Sequence, residues 1–394
     1  MKRVCIVVPY DYPVPACKGG AIEFLDQILI EENENKNVFQ FTVITTYDKL
    51  IEEENLSCFE NTKFVFFSKS KYDGIIFFLA LIMAKFFNLS VPFYPRIIPI
   101  LRYVKKHREE FDYILVENGV NHLTKLISKV YPKERILCRL HWIGKGTNNK
   151  IDSSFKYLLP VSEFCNRKWS IQTGRANNSF IWSNCFDDNS FGKQVDLETK
   201  TALRARYEIK DYEVVLIFVG RIVPLKGIKE LILAINKLNM ENVHLLVVGG
   251  AKFAEESRTP FEREIACLLE QSRFRYHMVG YVPNNELYRY YSVCDIAVMP
   301  TRFEEVAGLV NIEAMATGTP LITTNKGGIS EYVGDAAFLV EDDENFVENL
   351  SKAINYFINN PKVRQDYSKR GIERAKLYTR DVYFKRFCEI ICTL

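Results

Sequence analysis

Short runs of apolar, β-favouring residues alternate along this chain with longer segments whose apolar residues recur every three or four positions. Arg3–Val8 reads as a buried strand, and Ala21–Ile30 as the helix after it. Phe41–Thr45, Lys63–Phe67, Tyr113–Val116, Arg135–Leu140 and Tyr157–Pro160 read as further strands. A second series begins at Val214–Val219 and continues with His244–Val248, His277–Val279, Ile296–Met299, Leu321–Thr323 and Ala337–Leu339. Helical patterns fall between them at Ile228–Lys237, Pro260–Gln271, Asn284–Ser292 and Val310–Ala316. Strands separated by helices imply parallel sheets with right-handed crossovers. The predicted class is therefore α/β, with two Rossmann-like, doubly wound parallel-sheet domains.

The stretch Ser183–Asp211 is polar and poor in strand signals, which places a hinge there. The expected organisation is an N-terminal domain over residues 1–190, a C-terminal domain over 191–372, and a terminal helix over 373–394. The tail Asp366–Leu394 reads as helical and carries aromatics at Tyr367, Tyr378, Tyr383, Phe384 and Phe387, suited to packing back on the N-terminal domain.

Composition narrows the function classes. At 47% hydrophobic and 26% charged residues the chain has the balance of a globular protein rather than a disordered one. A net charge of +3 is too small to imply a nucleic-acid partner. The 10 cysteines include no C-x-x-C pair, so no zinc ribbon or thioredoxin-type site is indicated. The apolar run Val4–Val8 stops at Pro9, too short for a secretory signal, so a cytoplasmic chain with reduced thiols is expected. A longer run, Ile75–Ala84, ends at Lys85 and is too short to span a bilayer. Two readings of it stay open. It is a buried core helix, or an interfacial helix, since aromatics continue to Tyr103 and Arg102, Lys105, Lys106 and Arg108 follow.

Ligands of open α/β sheets bind beyond the carboxyl ends of the strands, so the candidate chemistry lies in the loops just past each strand. After the first comes Gly19-Gly20, opening a helix. This is either a plain turn or a close approach of backbone to an anion at a helix N-terminus. It is not the G-x-G-x-x-G of dinucleotide-binding proteins. After Val214–Val219 come Gly220-Arg221 and then Lys226-Gly227, again opening a helix. Arg and Lys so placed are a fork and a point charge for a diphosphate, or else two solvated cations. The densest block is Pro300–Tyr332. There a loop with Glu304 and Glu305 precedes Gly308-Leu309-Val310, which opens a helix containing Glu313. Glu305 is expected before the helix and Glu313 in its first turn. Carboxylates there accept sugar and ribose hydroxyls while free helix N–H groups meet oxygens of the ligand. The competing reading makes Glu313 a mere complement to the helix dipole.

This block, with Gly220-Arg221 and Lys226-Gly227 upstream, resembles the signature of retaining family 4 glycosyltransferases of the GT-B fold, of the bacterial surface-polysaccharide type. In that family two glutamates are separated by seven residues, as Glu305 and Glu313 are here. The resemblance extends to Gly249-Gly250, Gly280-Tyr281-Val282-Pro283, Cys294-Asp295 and Gly327-Gly328 with Glu331. In the N-terminal half it is looser, carried by Gly19-Gly20, Phe111–Ile114, His141, Val161-Ser162 and Asn184 with Asp187. Ala307 stands where the family commonly has Phe, and Cys185 where it commonly has Gly.

The resemblance implies two domains facing each other across a cleft, with the nucleotide sugar held by the C-terminal one. Arg221 and Lys226 would stabilise the departing diphosphate, Glu305 would orient the donor sugar, and His141 would line the cleft near it; these four are the candidate catalytic residues. The donor-binding set is Gly19, Gly20, Gly220, Tyr281, Val282, Gly308, Leu309, Val310 and Glu313. No cofactor is expected, and with no D-x-D motif no metal either. The implied reaction is sugar transfer from a nucleotide sugar, UDP-sugar first and GDP-mannose second, to a saccharide or lipid-linked saccharide, with peripheral membrane contact. Two other readings keep the fold: a sugar-nucleotide epimerase or phosphorylase, and a catalytically silent partner subunit.

Overall fold

A computed structural model describes residues 1–8, 12–18, 20–68, 75, 97–118, 122–142, 154–174, 178–250 and 259–394. Gly19 and, apart from Ile75, the apolar run to Ala84 lie outside the described residues. Contacts divide the chain into two compact units, Met1–Ser183 with Tyr383–Leu394, and Asn184–Val382.

Each unit is built on a six-stranded sheet, and every strand pairing described is parallel. In the first unit the strands are β1 (Lys2–Val7), β2 (Phe39–Thr46), β3 (Thr62–Phe67), β4 (Tyr113–Val116), β5 (Ile136–Leu140) and β6 (Tyr157–Pro160), in the order β3-β2-β1-β4-β5-β6. In the second they are β7 (Val214–Val219), β8 (Val243–Val248), β9 (Arg275–Gly280), β10 (Ile296–Met299), β11 (Leu321–Thr324) and β12 (Phe338–Val340), in the order β12-β11-β10-β7-β8-β9. The two orders are the same when read from the first strand of each unit. This is the doubly wound order, with its switch point between the first and fourth strands. Each unit is thus Rossmann-like, the fold class expected from the sequence.

The strands form because their side chains are buried on both faces. All six residues of β8 are buried, which explains a near-continuous apolar run in place of alternation. One layer on this sheet is the helix Ile228–Leu238, which buries Ile228, Leu231, Ile232 and Ile235, the i, i+3, i+4, i+7 positions of one face. The helix Phe346–Asn359 does the same with Phe346, Leu350, Ala353, Ile354 and Phe357. Fully burying one such Leu, Ile or Phe contributes roughly 1.5–3 kcal/mol, so these two faces supply much of the second core. At the entry edge Asp295 ties β7 to β10. Its carboxylate accepts the Val215 N–H at 2.8 Å, and its own N–H donates to the Val215 carbonyl at 2.7 Å.

The polar stretch after Ser183 carries two helices, Asp188–Phe191 and Leu197–Arg206, and no strand. It packs within the second unit: the Asn184 N–H donates to the Tyr332 hydroxyl at 2.9 Å, and Asp187 pairs with Arg380 at 3.1 Å. The tail aromatics separate at Val382. Tyr378 stacks on Tyr332 and Tyr367 on Phe357 in the second unit. Tyr383, Phe384 and Phe387 belong to the first, where Phe387 meets Phe39, Phe41 and Trp182 at ring-centroid distances of 5.4, 6.2 and 4.9 Å.

Candidate functional site

In the second unit the two loops at the switch point meet through side chains. The loop after β7 runs through Gly220 and Arg221 to a short turn, Pro224–Lys226, and Gly227. The loop after β10 runs from Pro300 to Gly308. Lys226 Nζ is ion-paired with Glu305 Oε1, and the Thr301 hydroxyl lies 3.3 Å from the same oxygen. Backbone bonds fix the two loops on each other. The Arg302 N–H donates to the Leu225 carbonyl at 2.8 Å, and the Thr301 hydroxyl to the same carbonyl at 3.1 Å.

Two glycines make this approach sterically possible. Gly227 has φ +73°, and a Cβ there would stand 1.9 Å from the Pro300 carbonyl oxygen. Gly327 has φ +67°, and a Cβ there would stand 2.1 Å from the carbonyl oxygen of Glu305. Gly328 N–H donates to that same carbonyl at 2.7 Å. The glycine pair noted in the sequence therefore holds the Glu305 loop from behind, because only a residue without Cβ allows the backbones to touch.

The structure corrects the expected position of Glu313. The helix begins at Leu309, after Gly308 in a left-handed conformation at φ +77°, and runs to Ala316. Glu313 is thus its fifth residue, beyond the first turn, and it is buried. A dipole-complementing role needs a first-turn carboxylate, so that reading fails. Instead Oε1 accepts from Asn284 Nδ2 at 2.8 Å, and Oε2 is buried with no hydrogen-bond partner among the described residues. Burial pushes the Glu313 carboxyl up to about 7, with the Asn284 bond opposing it. The side-chain oxygens of Asn284 and Asn311 are buried and unpartnered as well. Three unmet acceptors beside a helix start form a cradle for hydroxyl donors. Leu309 and Val310 occupy that start, where helix N–H groups lack intrahelical acceptors.

The remaining candidates of this unit lie on neighbouring loops. Arg221 is exposed and makes no ion pair among the described residues, so of the two proposed cations only Lys226 is compensated. Gly220 is approached by Gly249, at which a Cβ would stand 2.1 Å from the Gly220 carbonyl oxygen. Tyr281 is exposed and Val282 buried, just after β9.

In the first unit, Gly20 caps the helix Ala21–Lys36 at φ +97°, and Glu23 folds back over it. His141 comes just after β5 and is almost buried, with Nε2 2.8 Å from Glu117 Oε2. Glu117 stands one residue past β4, with Arg139 Nη1 3.8 Å from its other oxygen. Sequence reasoning missed Glu117 and Asn284. Each had a signal: a charged residue closing an apolar strand, and an amide directly after Gly280-Tyr281-Val282-Pro283.

Residues 199–374, which hold this arrangement of loops, match the family described as Glycosyl transferases group 1. A putative glycosyltransferase of Bacillus subtilis, YtcC, is 32% identical over 155 residues, 39% of this chain and 38% of its own length. The lipopolysaccharide 1,2-N-acetylglucosaminetransferase of Salmonella typhimurium is 30% identical over 34% of this chain and 36% of its own length. The chain thus spans little more than a third of these two curated relatives. Spore coat protein SA of Bacillus subtilis aligns over 94% of both chains at 23% identity. The solved structure of Anabaena Alr3699/HepE in complex with UDP and glucose superposes with a TM-score of 0.77 over 100% of both chains, at 16% identity.

The buried acid generates a pH test. The folded value of Glu313 near 7 lies above its ordinary 4.5, so its stabilising contribution is present at low pH and lost as pH rises through 7. The loss approaches about 3 kcal/mol between pH 5 and 8. In Glu313→Gln that slope disappears, so the variant melts higher relative to wild type at pH 8 than at pH 5. Parallel melting-temperature profiles for the two proteins rule out an unmet buried carboxyl.

Proposed function

We propose that the chain is a metal-independent retaining glycosyltransferase of family 4 type, acting in surface-polysaccharide synthesis. It transfers a sugar from a nucleotide-sugar donor to a saccharide or lipid-linked saccharide. The observation that carries this reading is the pairing of Lys226 with Glu305 beside the unmet oxygen of Glu313, inside the segment matching Glycosyl transferases group 1. Uridine is the preferred base and guanosine the second; the UDP bound by Alr3699/HepE supports that order.

On this reading Glu313 Oε2 accepts a ribose hydroxyl, and Glu305 accepts hydroxyls of the donor sugar. Lys226 is drawn from Glu305 toward the diphosphate, where Arg221 joins it. Both cations then act where negative charge grows as the bond from the anomeric carbon to the phosphate oxygen breaks. The acceptor oxygen attacks the same face, and its proton passes to the departing phosphate. The N–H groups of Leu309 and Val310, with Gly308, meet donor oxygens, the backbone at Tyr281 and Val282 meets the base, and Gly220 belongs to the donor-binding set. Gly20 and His141 of the first unit are assigned the roles the resemblance implies, toward the donor phosphates and the reacting sugar. The domains assigned to these roles are residues 1–190 for the acceptor and 191–372 for the donor, with 373–394 as the terminal helix.

Glu305→Ala and Glu313→Ala are expected to lower transfer by roughly 100-fold or more while circular dichroism stays native, since each removes contacts to the bound donor. Near-wild-type transfer by either variant removes that glutamate from the site.

Transfer is expected to persist in excess EDTA, because Arg221 and Lys226 supply the charge a metal would otherwise bring. Loss on chelation with recovery on adding magnesium or manganese would show that a metal carries the diphosphate.

Attachment to anionic membranes is the remaining part of the proposal. The helix Ile97–Lys106 exposes Ile98, Arg102, Lys105 and Lys106. Each cation near an anionic surface contributes about 1 kcal/mol, weakened by salt. The chain should therefore sediment with anionic liposomes at low salt and less at high salt. Changing Arg102, Lys105, Lys106 and Arg108 to Ser should abolish this; equal sedimentation of both proteins refutes it.

A further inference from the structure

The first unit holds a buried charge network of which the proposed chemistry uses only His141. At its centre Glu117 is fully buried between Arg139 and His141, at 3.8 and 2.8 Å. Arg139 is itself fully buried; its guanidinium lies 3.8 Å from the centroid of the Trp182 ring, and Nη1 donates to the Tyr383 hydroxyl. Trp182 and Tyr383 stack at 4.7 Å, and Trp182 Nε1 donates to the Tyr383 carbonyl at 3.0 Å. From the helix Ala21–Lys36 come two more buried carboxyls, Glu23 and Asp26, and Asp26 stands within hydrogen-bond reach of Glu117, to which it donates when protonated.

The charge states are set by this arrangement. Three buried carboxyls facing one guanidinium cannot all ionise. Burial works to raise Glu117, but Arg139 and the His141 bond outweigh it and hold Glu117 below the ordinary glutamate value. Asp26 is pushed well up, by burial and then by the Glu117 charge, and burial takes Glu23 to about 7. Burial and then Arg139 hold His141 below its ordinary value, against the pull of Glu117. Near neutral pH Glu117 is therefore ionised, Asp26 is protonated, Glu23 stands near its midpoint and His141 is uncharged. An ionised carboxylate only accepts, so the ring nitrogen facing it must carry the hydrogen. That nitrogen is Nε2.

We infer that Glu117 is a positioning residue: it holds His141 as the Nε2-protonated tautomer, leaving Nδ1 as an acceptor for a sugar hydroxyl. Arg139, fixed by Trp182 and Tyr383, keeps Glu117 charged and so maintains the tautomer. A neutral imidazole fixed by a carboxylate presents one defined lone pair, whereas an unfixed ring divides between donor and acceptor forms. The groups facing the ring are Glu117, just past the neighbouring strand β4, and Arg139, on β5 itself. Glu23 and Asp26 stand behind them, and the Cys165 thiol bonds the neighbouring Leu140 carbonyl at 3.5 Å. The tautomer assignment concerns the protein alone; the role of Nδ1 rests on the glycosyltransferase reading.

The test is nitrogen NMR of the full chain labelled at histidine, with the His141 signal identified by its loss in His141→Gln. At pH 7 the ring should show the neutral Nε2–H pattern. An Nδ1–H ring, or an imidazolium, overturns the inference, and this readout needs no variant of the network to fold. In transfer assays Glu117→Ala should lower kcat roughly 10- to 100-fold, the usual cost of losing an orienting partner, with donor KM little changed. Glu117→Gln, which still offers an acceptor oxygen, should recover part of the loss. A folded Glu117→Ala with wild-type kcat overturns the positioning role. Unchanged transfer by His141→Ala instead removes His141 from the proposed site and leaves the NMR result to decide the tautomer separately.

Discussion

Parallel pairing of strands that are neighbours in the sheet but distant in sequence governs this molecule. β7 lies against β10, with Leu216 beside Ile296, and β1 lies against β4, with Val4 beside Tyr113. At each junction the chain leaves the two strands toward opposite halves of its sheet, so the loops after them diverge and leave an opening. Everything singled out for chemistry stands beyond the carboxyl ends of strands: Lys226 after β7, Glu305 after β10, Glu117 after β4 and His141 after β5. Polar groups tolerate that edge because the sheet interior, where an unpaired charge costs most, ends there.

Much of the fold was readable because buried parallel strands write themselves as short apolar blocks. Tyr113–Val116, Tyr157–Pro160, Val214–Val219 and Ile296–Met299 have the bounds expected from the sequence. Other elements differ by one to six residues, as with the helix that ends at Lys36 and not Ile30. The added turn is polar but continuous, and it stops where Asn37 turns left-handed and the Asn33 side chain bonds the Phe39 backbone. No local pattern marks such an ending.

The site was legible as a set of residues but not as a set of contacts. Spacing brought out Lys226, Glu305 and Glu313, since motifs preserve order along the chain. It did not show that Lys226 and Glu305 are joined, because their partnership depends on Gly227 and Gly327 letting backbones touch. It misplaced Glu313 by one residue, enough to carry it past the first turn, since the helix start is set by the left-handed conformation of Gly308 and not by apolar periodicity. Arg139 was hidden more completely. Within the block Ile136–Leu140 it interrupts an apolar strand, and the buried carboxylate of Glu117 together with the aromatic cover of Trp182 and Tyr383 explains a fully buried guanidinium there.

That cover has a consequence for biosynthesis. Phe39 and Phe41 in β2 and Arg139 in β5 are made early, yet their packing partners Tyr383, Phe384 and Phe387 come after the whole second unit has been translated. Domains generally fold in the order of their synthesis. Here the unit that emerges first waits longest, with apolar rings and a buried cation uncovered while Asn184–Val382 is still being made. A nascent chain of this protein thus leaves part of its amino-terminal unit uncovered until its last residues are made, and a premature stop near residue 380 removes packing from the half of the molecule farthest from it in sequence.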